Sequence, residues 1–326
     1  MPEVTLVGAV NMALAHEMEA DENVVVLGED VGVNGGVFRA TAGLQERFGR
    51  ERVLDTPLAE TLIAGMSIGM AAQGLRPVAE IQFMGFIYST VDQLVNHAGR
   101  LRNRTRGRLG CPMVLRAPFG GGIHAPEHHS ESTEAMFAHV PGIRVVIPSS
   151  PARAYGLLLA AIRDPDPVVF LEPKRIYRMV KQDVPDNGDA LPLDVCFLLR
   201  EGGDVTLVTW GAMTNETMKA ADALQADGVS AEVIDVATVK PLDMETILES
   251  VGKTGRCVIV HEAARHCGVG AEIAAGLAER GLLGLFAPVE RVTGYDTVMP
   301  LYRLENRYMP QVDAIVAAAR RTMEMS

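Results

Sequence analysis

From residue 4 onward the apolar positions Val4, Val7, Val10, Leu14 and Met18 recur at close to helical spacing, and a continuous apolar run over 24–27 ends at Gly28. A period near 3.6 predicts an amphipathic helix, and a short unbroken apolar run predicts a strand buried on both faces. The alternation continues with a small-residue helix over 61–73, a strand over 77–83, a helix over 87–103 and a strand over 113–115. A strand over 145–147, a helix over 152–162 and a strand over 168–171 complete the first half. Strands alternating with helices predict an α/β fold whose parallel sheet is covered on both faces. Between about residues 181 and 203 the pattern weakens, and VPDNGDALP carries turn formers without apolar periodicity. The boundary is placed there, giving domains 1–185 and 186–326. Beyond it, strands over 205–210, 231–236, 257–262 and 288–294 alternate with helices over 214–226, 243–251, 269–281 and from 311, which predicts a second, smaller α/β domain.

A chain of 326 residues exceeds what one core usually organises, which agrees with two domains. Its formal charge of -11 argues against a nucleic acid or an anionic membrane as the main partner and favours a small substrate or a protein. Four widely spaced cysteines without a CxxC pair suggest neither a zinc site nor a disulfide scaffold, so a reducing compartment is expected. The acidic, amphipathic N-terminus does not have the form of a signal peptide, and no apolar stretch reaches spanning length. The expected location is cytoplasmic, or a matrix-type compartment after loss of a targeting segment.

Several segments carry chemistry. GEDVGVNGGVFRATAGL (28–44) puts Glu29 and Asp30 at the end of a strand, where open α/β sheets bind ligands, though a Gly-rich turn with solvated acids explains it equally. In DTPLAE (55–60), Thr56 is a plausible N-cap, Pro57 suits a first turn and Glu60 sits where the helix dipole stabilises a carboxylate. Read locally, Glu60 does no more than complete a capping box. Gly65 and Gly69, one turn apart, let another backbone approach and suggest a buried crossing at a subunit contact. RAPFGGGIHAPEHHSES (116–132) gathers glycines, acids and His124, His128 and His129, a composition suited to acid–base work near neutral pH more than to metal ligation. His139, in an apolar context, is expected to pack and hydrogen-bond. The alternating arginines 100–108 read as a solvated or partner-contacting face. On this reading alone a nicotinamide-dependent oxidoreductase, disfavoured by the missing GxGxxG, and a non-enzymatic scaffold subunit both stay open.

Together LGEDVG, GGVFRAT, DTPLAE, GLRPVAEIQF, VDQLVN, RAPFGGG followed by HHSES, PGIRVVIPSSP, AIRDPDPVVFLEPKRIYR, VTLVTWGA, AEVIDVATVKPLD and RVTGYDTVMP resemble the E1 β subunits of pyruvate and branched-chain 2-oxoacid dehydrogenases from end to end. The resemblance implies a thiamine pyrimidine-binding parallel-sheet domain followed by a transketolase C-terminal-type domain. It implies that Glu60 hydrogen-bonds N1′ of the aminopyrimidine of thiamine diphosphate, that Glu29, Leu58, Gln82 and Phe86 line the cofactor site, and that His129 assists reductive acylation of a lipoyl group. Phe86 stands where branched-chain enzymes usually carry Tyr, so a hydroxyl is lost there. No GDG motif with its asparagines is present to bind Mg2+ and diphosphate. In relatives that motif belongs to an α subunit, within an α2β2 tetramer served by the lipoyl and subunit-binding domains of E2. The AIRDPDP turn resembles a potassium site formed by the carbonyls of Ala161, Asp164 and Asp166. Pyruvate is the expected substrate; branched-chain 2-oxoacids such as 2-oxoisovalerate and, less so, acetoin are the alternatives.

Overall fold

The computed structural model describes residues 3–325. The chain forms two compact units, the first made of residues up to Phe119 with Met136–Leu193, the second of Gly120–Ala135 with the chain from Asp194 onward.

In the first unit six parallel strands pair in the order Arg144–Val146, Val168–Pro173, Val114–Phe119, Arg76–Glu80, Val24–Gly28 and Val53–Asp55. Every residue of Val24–Gly28, Val114–Phe119 and Val168–Pro173 is buried. Burial on both faces is why these segments read as continuous apolar runs and not as alternating ones. The helix Leu6–Ala20 opens at Thr5, whose hydroxyl accepts from the Gly8 amide at 3.3 Å. Pro151–Arg163 opens in the same way at Ser150, with Pro151 in its first turn. These two helices pack on one another, and Arg163 donates to the buried Glu17 at 2.6 Å.

Two expectations in this unit are corrected. The helix over 87–103 is broken into a 3-10 stretch Met84–Thr90, a helix Val91–Asn96, a 3-10 turn Ala98–Arg100 and a short helix Leu101–Arg104. The hydroxyls of Ser89 and Thr90 donate back to the carbonyls of Phe86 and Ile87 at 3.0 and 2.6 Å, which competes with a continuous ladder. The helix expected over 61–73 forms as Glu60–Ala72, but its N-cap is Ala59 and not Thr56, which directly follows the short strand Val53–Asp55 that the pattern does not reveal.

In the second unit five strands pair in the order Glu290–Gly294, Cys257–Ala264, Val205–Thr209, Ala231–Asp235 and Phe197–Arg200. The first four are mutually parallel and Phe197–Arg200 is an antiparallel edge. The helices Met213–Ala226, Met244–Thr254, Val269–Arg280 and Val312–Glu324 cover them. Among the described residues no helix is long and apolar enough to cross a membrane.

Candidate active site

Gly28, Asp55 and Glu80 stand side by side in register at the carboxyl ends of three adjacent strands. The segments that follow therefore leave the sheet at one edge, the place where open α/β sheets bind ligands. Glu29 follows the first strand, Thr56 the second and Gln82 lies two residues past the third. Glu29 is half-buried, and its carboxyl is held above the usual range first by burial, then by the charges of Glu60 and Asp30. Two carboxylates far apart in sequence thus share one electrostatic neighbourhood.

Glu60 is the first residue of its helix, in the turn whose amides have no intrahelical acceptor. Ala59 provides no side-chain cap, so the local capping-box explanation of Glu60 fails. Thr56 Oγ1 and one carboxylate oxygen of Glu29, Oε1, are buried without a hydrogen-bond partner among the described residues. A buried polar atom left unpaired costs on the order of 1–3 kcal/mol unless a ligand supplies the missing partner.

The glycine-rich segment is folded over this edge. The Gly32 amide donates to Asp55 Oδ1 at 2.7 Å, and the Thr41 hydroxyl donates to the Val31 carbonyl at 2.7 Å. Gly36 has φ of 76°, and a Cβ there would lie 2.7 Å from Glu80 Oε1, so both conformation and space require glycine. Phe86 stands edge-on to Phe83 with centroids 5.9 Å apart, and Phe83 meets Phe38 at 5.4 Å. Gln82 and Phe86 are half-buried, whereas Leu58 is 80% exposed.

Sequence reasoning missed the charged cluster beneath this edge. Arg116, 1% exposed, donates through Nε and Nη2 to the two oxygens of Glu172 at 2.7 and 2.8 Å and through Nη1 to Glu80. Tyr177 donates its hydroxyl to Glu172 at 2.6 Å. Two carboxylates face one guanidinium, and burial raises the carboxyl of Glu80 above its ordinary range. The available signal was a buried charge in each of three largely apolar strands, Glu80 in RPVAE, Arg116 in VLRAPF and Glu172 in VVFLEP. Unpaired charges are rarely tolerated there.

His129 belongs to the second unit, at the end of the 3-10 turn Glu127–His129. Its ring lies 4.2 Å from that of His128 in a T-shaped arrangement; His129 is half-buried and His128 exposed. His139, expected to pack, is exposed instead, because its short helix Glu134–Ala138 ends just before it. At the candidate potassium turn the carboxylates of Asp164 and Asp166 are engaged by Arg144 at 3.0 Å and Arg102 at 2.7 Å, leaving backbone oxygens as the ligands on offer. Among the described residues no group of three or more His, Cys, Asp or Glu side chains could hold a metal ion.

The family "Transketolase, pyrimidine binding domain" matches residues 3–180, and "Transketolase, C-terminal domain" matches residues 196–315. The chain is 49% identical over 324 residues, 99% of its length and all of the relative's, to the pyruvate dehydrogenase E1 component subunit beta of Bacillus subtilis. It is 50% identical over 321 residues to the subunit of the same name from Acholeplasma laidlawii, covering 98% of each chain, and 48% identical to that of Staphylococcus epidermidis, covering 99% and 100%. A solved split-gene transketolase, an inactive beta4 tetramer, shares the fold with a TM-score of 0.83 at 24% identity over 99% of both chains. A transketolase pyrimidine-binding domain followed by a transketolase C-terminal domain, with close to half of all residues shared end to end, makes this chain a member of the family of pyruvate dehydrogenase E1 component β subunits.

Proposed function

We propose that this chain is the β half of a thiamine-diphosphate-dependent E1 that decarboxylates pyruvate and passes the acyl group to a lipoyl domain. The observation that carries the reading is the identity of about half of all residues, over full length, with subunits named for pyruvate dehydrogenase. The first unit fits the pyrimidine half of the cofactor. The unsatisfied Glu29 and Thr56 oxygens await donors, Glu60 presents a carboxylate at a helix start, and Phe86 and Phe83 offer an apolar wall. When bound, thiamine diphosphate supplies the carbon nucleophile and the electron sink for decarboxylation.

In this reading Glu60 holds a proton at N1′ of the aminopyrimidine, and Glu29 raises the basicity of that neighbourhood through its charge. Gln82 and Leu58 orient the ring, and Phe86 contributes only apolar contact, since it has no hydroxyl. The exposure of Leu58 is that of a residue awaiting a surface from outside the chain. His129 manages the proton during acyl transfer. An α subunit brings the Mg2+ and diphosphate ligands and completes an α2β2 tetramer, which the E2 lipoyl and subunit-binding domains engage in the cytoplasm. The carbonyls of Ala161, Asp164 and Asp166 are the ligands of a structural potassium ion.

The test is to co-express the chain with its α partner and compare kcat/KM for pyruvate, 2-oxoisovalerate and acetoin. Pyruvate should lead. A clear preference for 2-oxoisovalerate or acetoin would overturn the substrate and keep the family.

A further inference from the structure

The segment 120–135 is held to the second unit by carboxylates that none of the roles above uses. The Gly121 amide donates to Glu262 Oε2 at 2.9 Å. The Gly122 and His124 amides donate to the two oxygens of Glu305 at 2.7 and 3.1 Å, and His124 Nε2 lies 3.4 Å from the same carboxylate. Glu262 is 3% exposed and Glu305 1%. Gly120, Gly122 and His124 all have positive φ, so successive amides turn inward and form a concave nest for anions. Two side-chain carboxylates fill it. Glycine is required at 120: a Cβ there would lie 2.6 Å from the Glu262 carboxylate, within steric conflict.

The far end of the segment is fixed as well. Glu134, fully buried, accepts from the indole N–H of Trp210 at 3.2 Å, and Trp210 stacks on the buried His261 with rings 5.0 Å apart. Between the two anchors the Gly120 amide donates to the Glu131 carbonyl at 2.9 Å and closes the loop at its base. The 3-10 turn with His128 and His129 is the part of the segment left between these fixed points.

We infer that Glu262 and Glu305 are positioning residues for acyl transfer: by filling the backbone nest of 120–124 they set the stance of the turn that carries His129. The inference rests on the acyl-transfer role proposed for His129. Charge-assisted hydrogen bonds to buried amides are stronger than neutral ones and fix orientation as well as position. Two amides converge on Glu305, so a glutamine there would satisfy one and point its own N–H2 at the other.

The test uses the reconstituted α2β2 enzyme and two assays, lipoyl-domain acylation and decarboxylation with an artificial electron acceptor. Glu305→Gln should lower the ratio of acylation to decarboxylation by roughly tenfold, and hydrogen exchange at Gly122 and His124 should quicken. In a His129→Ala background the same substitution should cost acylation little more. Glu262→Gln, which removes the charge that the Gly121 amide meets, should show the same pattern more weakly. An unchanged ratio in Glu305→Gln, or a full additional loss in the His129→Ala background, overturns the positioning role. If His129→Ala itself leaves the ratio unchanged while exchange quickens in Glu305→Gln, the role of His129 fails and the inference falls with it, although the clasp is real. If Glu305→Gln does not fold, Glu262→Gln and the exchange rates of the wild-type loop decide: amides at 121, 122 and 124 exchanging as fast as an open loop overturn the clasp.

Discussion

At the scale of single residues the candidate site joins Glu29, one of whose oxygens is buried without a partner among the described residues, to Glu60 at the first turn of its helix. Glu60→Gln keeps size and hydrogen-bonding capacity but removes the charge proposed to stabilise a proton at N1′. The tetramer should assemble, kcat should fall roughly 10²–10⁴-fold, and exchange of the cofactor C2 proton, followed by NMR, should slow in parallel. Exchange at the wild-type rate in the cofactor-saturated variant would sink the assignment. The exposed Glu46, away from these contacts, is the control for general damage. Glu29 gives a prediction of opposite sign for stability and function. Its pKa is raised in the folded chain, so the unfolded chain releases that proton first and stability is lost as pH climbs through and above the ordinary carboxylate range. Glu29→Gln should therefore raise the Tm of the cofactor-free chain at neutral pH while weakening thiamine diphosphate binding to the tetramer about 10-fold or more, the value of a hydrogen bond to a charged group. A variant that lost both stability and affinity would mark Glu29 as a structural residue.

At the scale of elements, the helix Glu60–Ala72 buries Ile63, Ala64, Ser67 and Ala71 and leaves Leu62 and Gly69 exposed on another face. A Cβ on Gly69 meets nothing within 4 Å. Glycine within a helix costs on the order of 1 kcal/mol relative to a good helix former, and no contact among the described residues repays that at Gly69. Gly69→Leu should leave the isolated chain at least as stable to heat and should block assembly with the α subunit, read by light scattering; a tetramer of normal stability would count against a subunit contact at this helix. The segment ending in Glu134 has its own pH signature. Burial, and after it the charge of Glu262, pushes the Glu134 carboxyl from 4.5 up to about 8. Between those values the folded chain keeps a proton the unfolded chain has released, so stability declines as pH rises through that window. His261, held neutral down to about 3 by burial and by Arg291, gives the opposite slope below its ordinary value of 6.5. Compared with wild type, Glu134→Gln should flatten the decline in Tm between about pH 5 and 8. An identical profile would show that Glu134 ionises normally.

At the scale of the whole molecule, the proposed function gives the chain the pyrimidine half of the cofactor site and leaves the diphosphate and Mg2+ ligands to an α subunit. Purified alone the chain should bind thiamine diphosphate weakly, by calorimetry, and show no decarboxylase turnover; robust turnover would refute the shared site. How far this was legible from the sequence follows from burial. The strands Val24–Gly28, Val168–Pro173 and Val205–Thr209 announced themselves because both faces are covered. Val53–Asp55 is too short to show a period, and Phe197–Arg200, a half-exposed antiparallel edge, lies in the stretch that reads as a linker. Glu29 and Glu60 were legible one at a time by their place after a strand and before a helix. Their proximity was implied by the family resemblance but not by residue order alone, since it depends on Gly28 standing beside Asp55 in the sheet. The Glu80–Arg116–Glu172 cluster was hidden for the same reason, each member looking like an isolated misfit until register joined them. The clasp on the histidine-bearing segment has one more consequence, in the order of events during synthesis. Its partners lie 141 and 183 residues downstream. At roughly 5–20 residues per second, the glycine amides are made about ten seconds or more before Glu305 exists to receive them. The strands of the first unit can pair in that interval, but the turn bearing His129 gains its Glu305 contacts only once residue 305 is made, and a chain cut short before it would keep the first unit and lose that clasp.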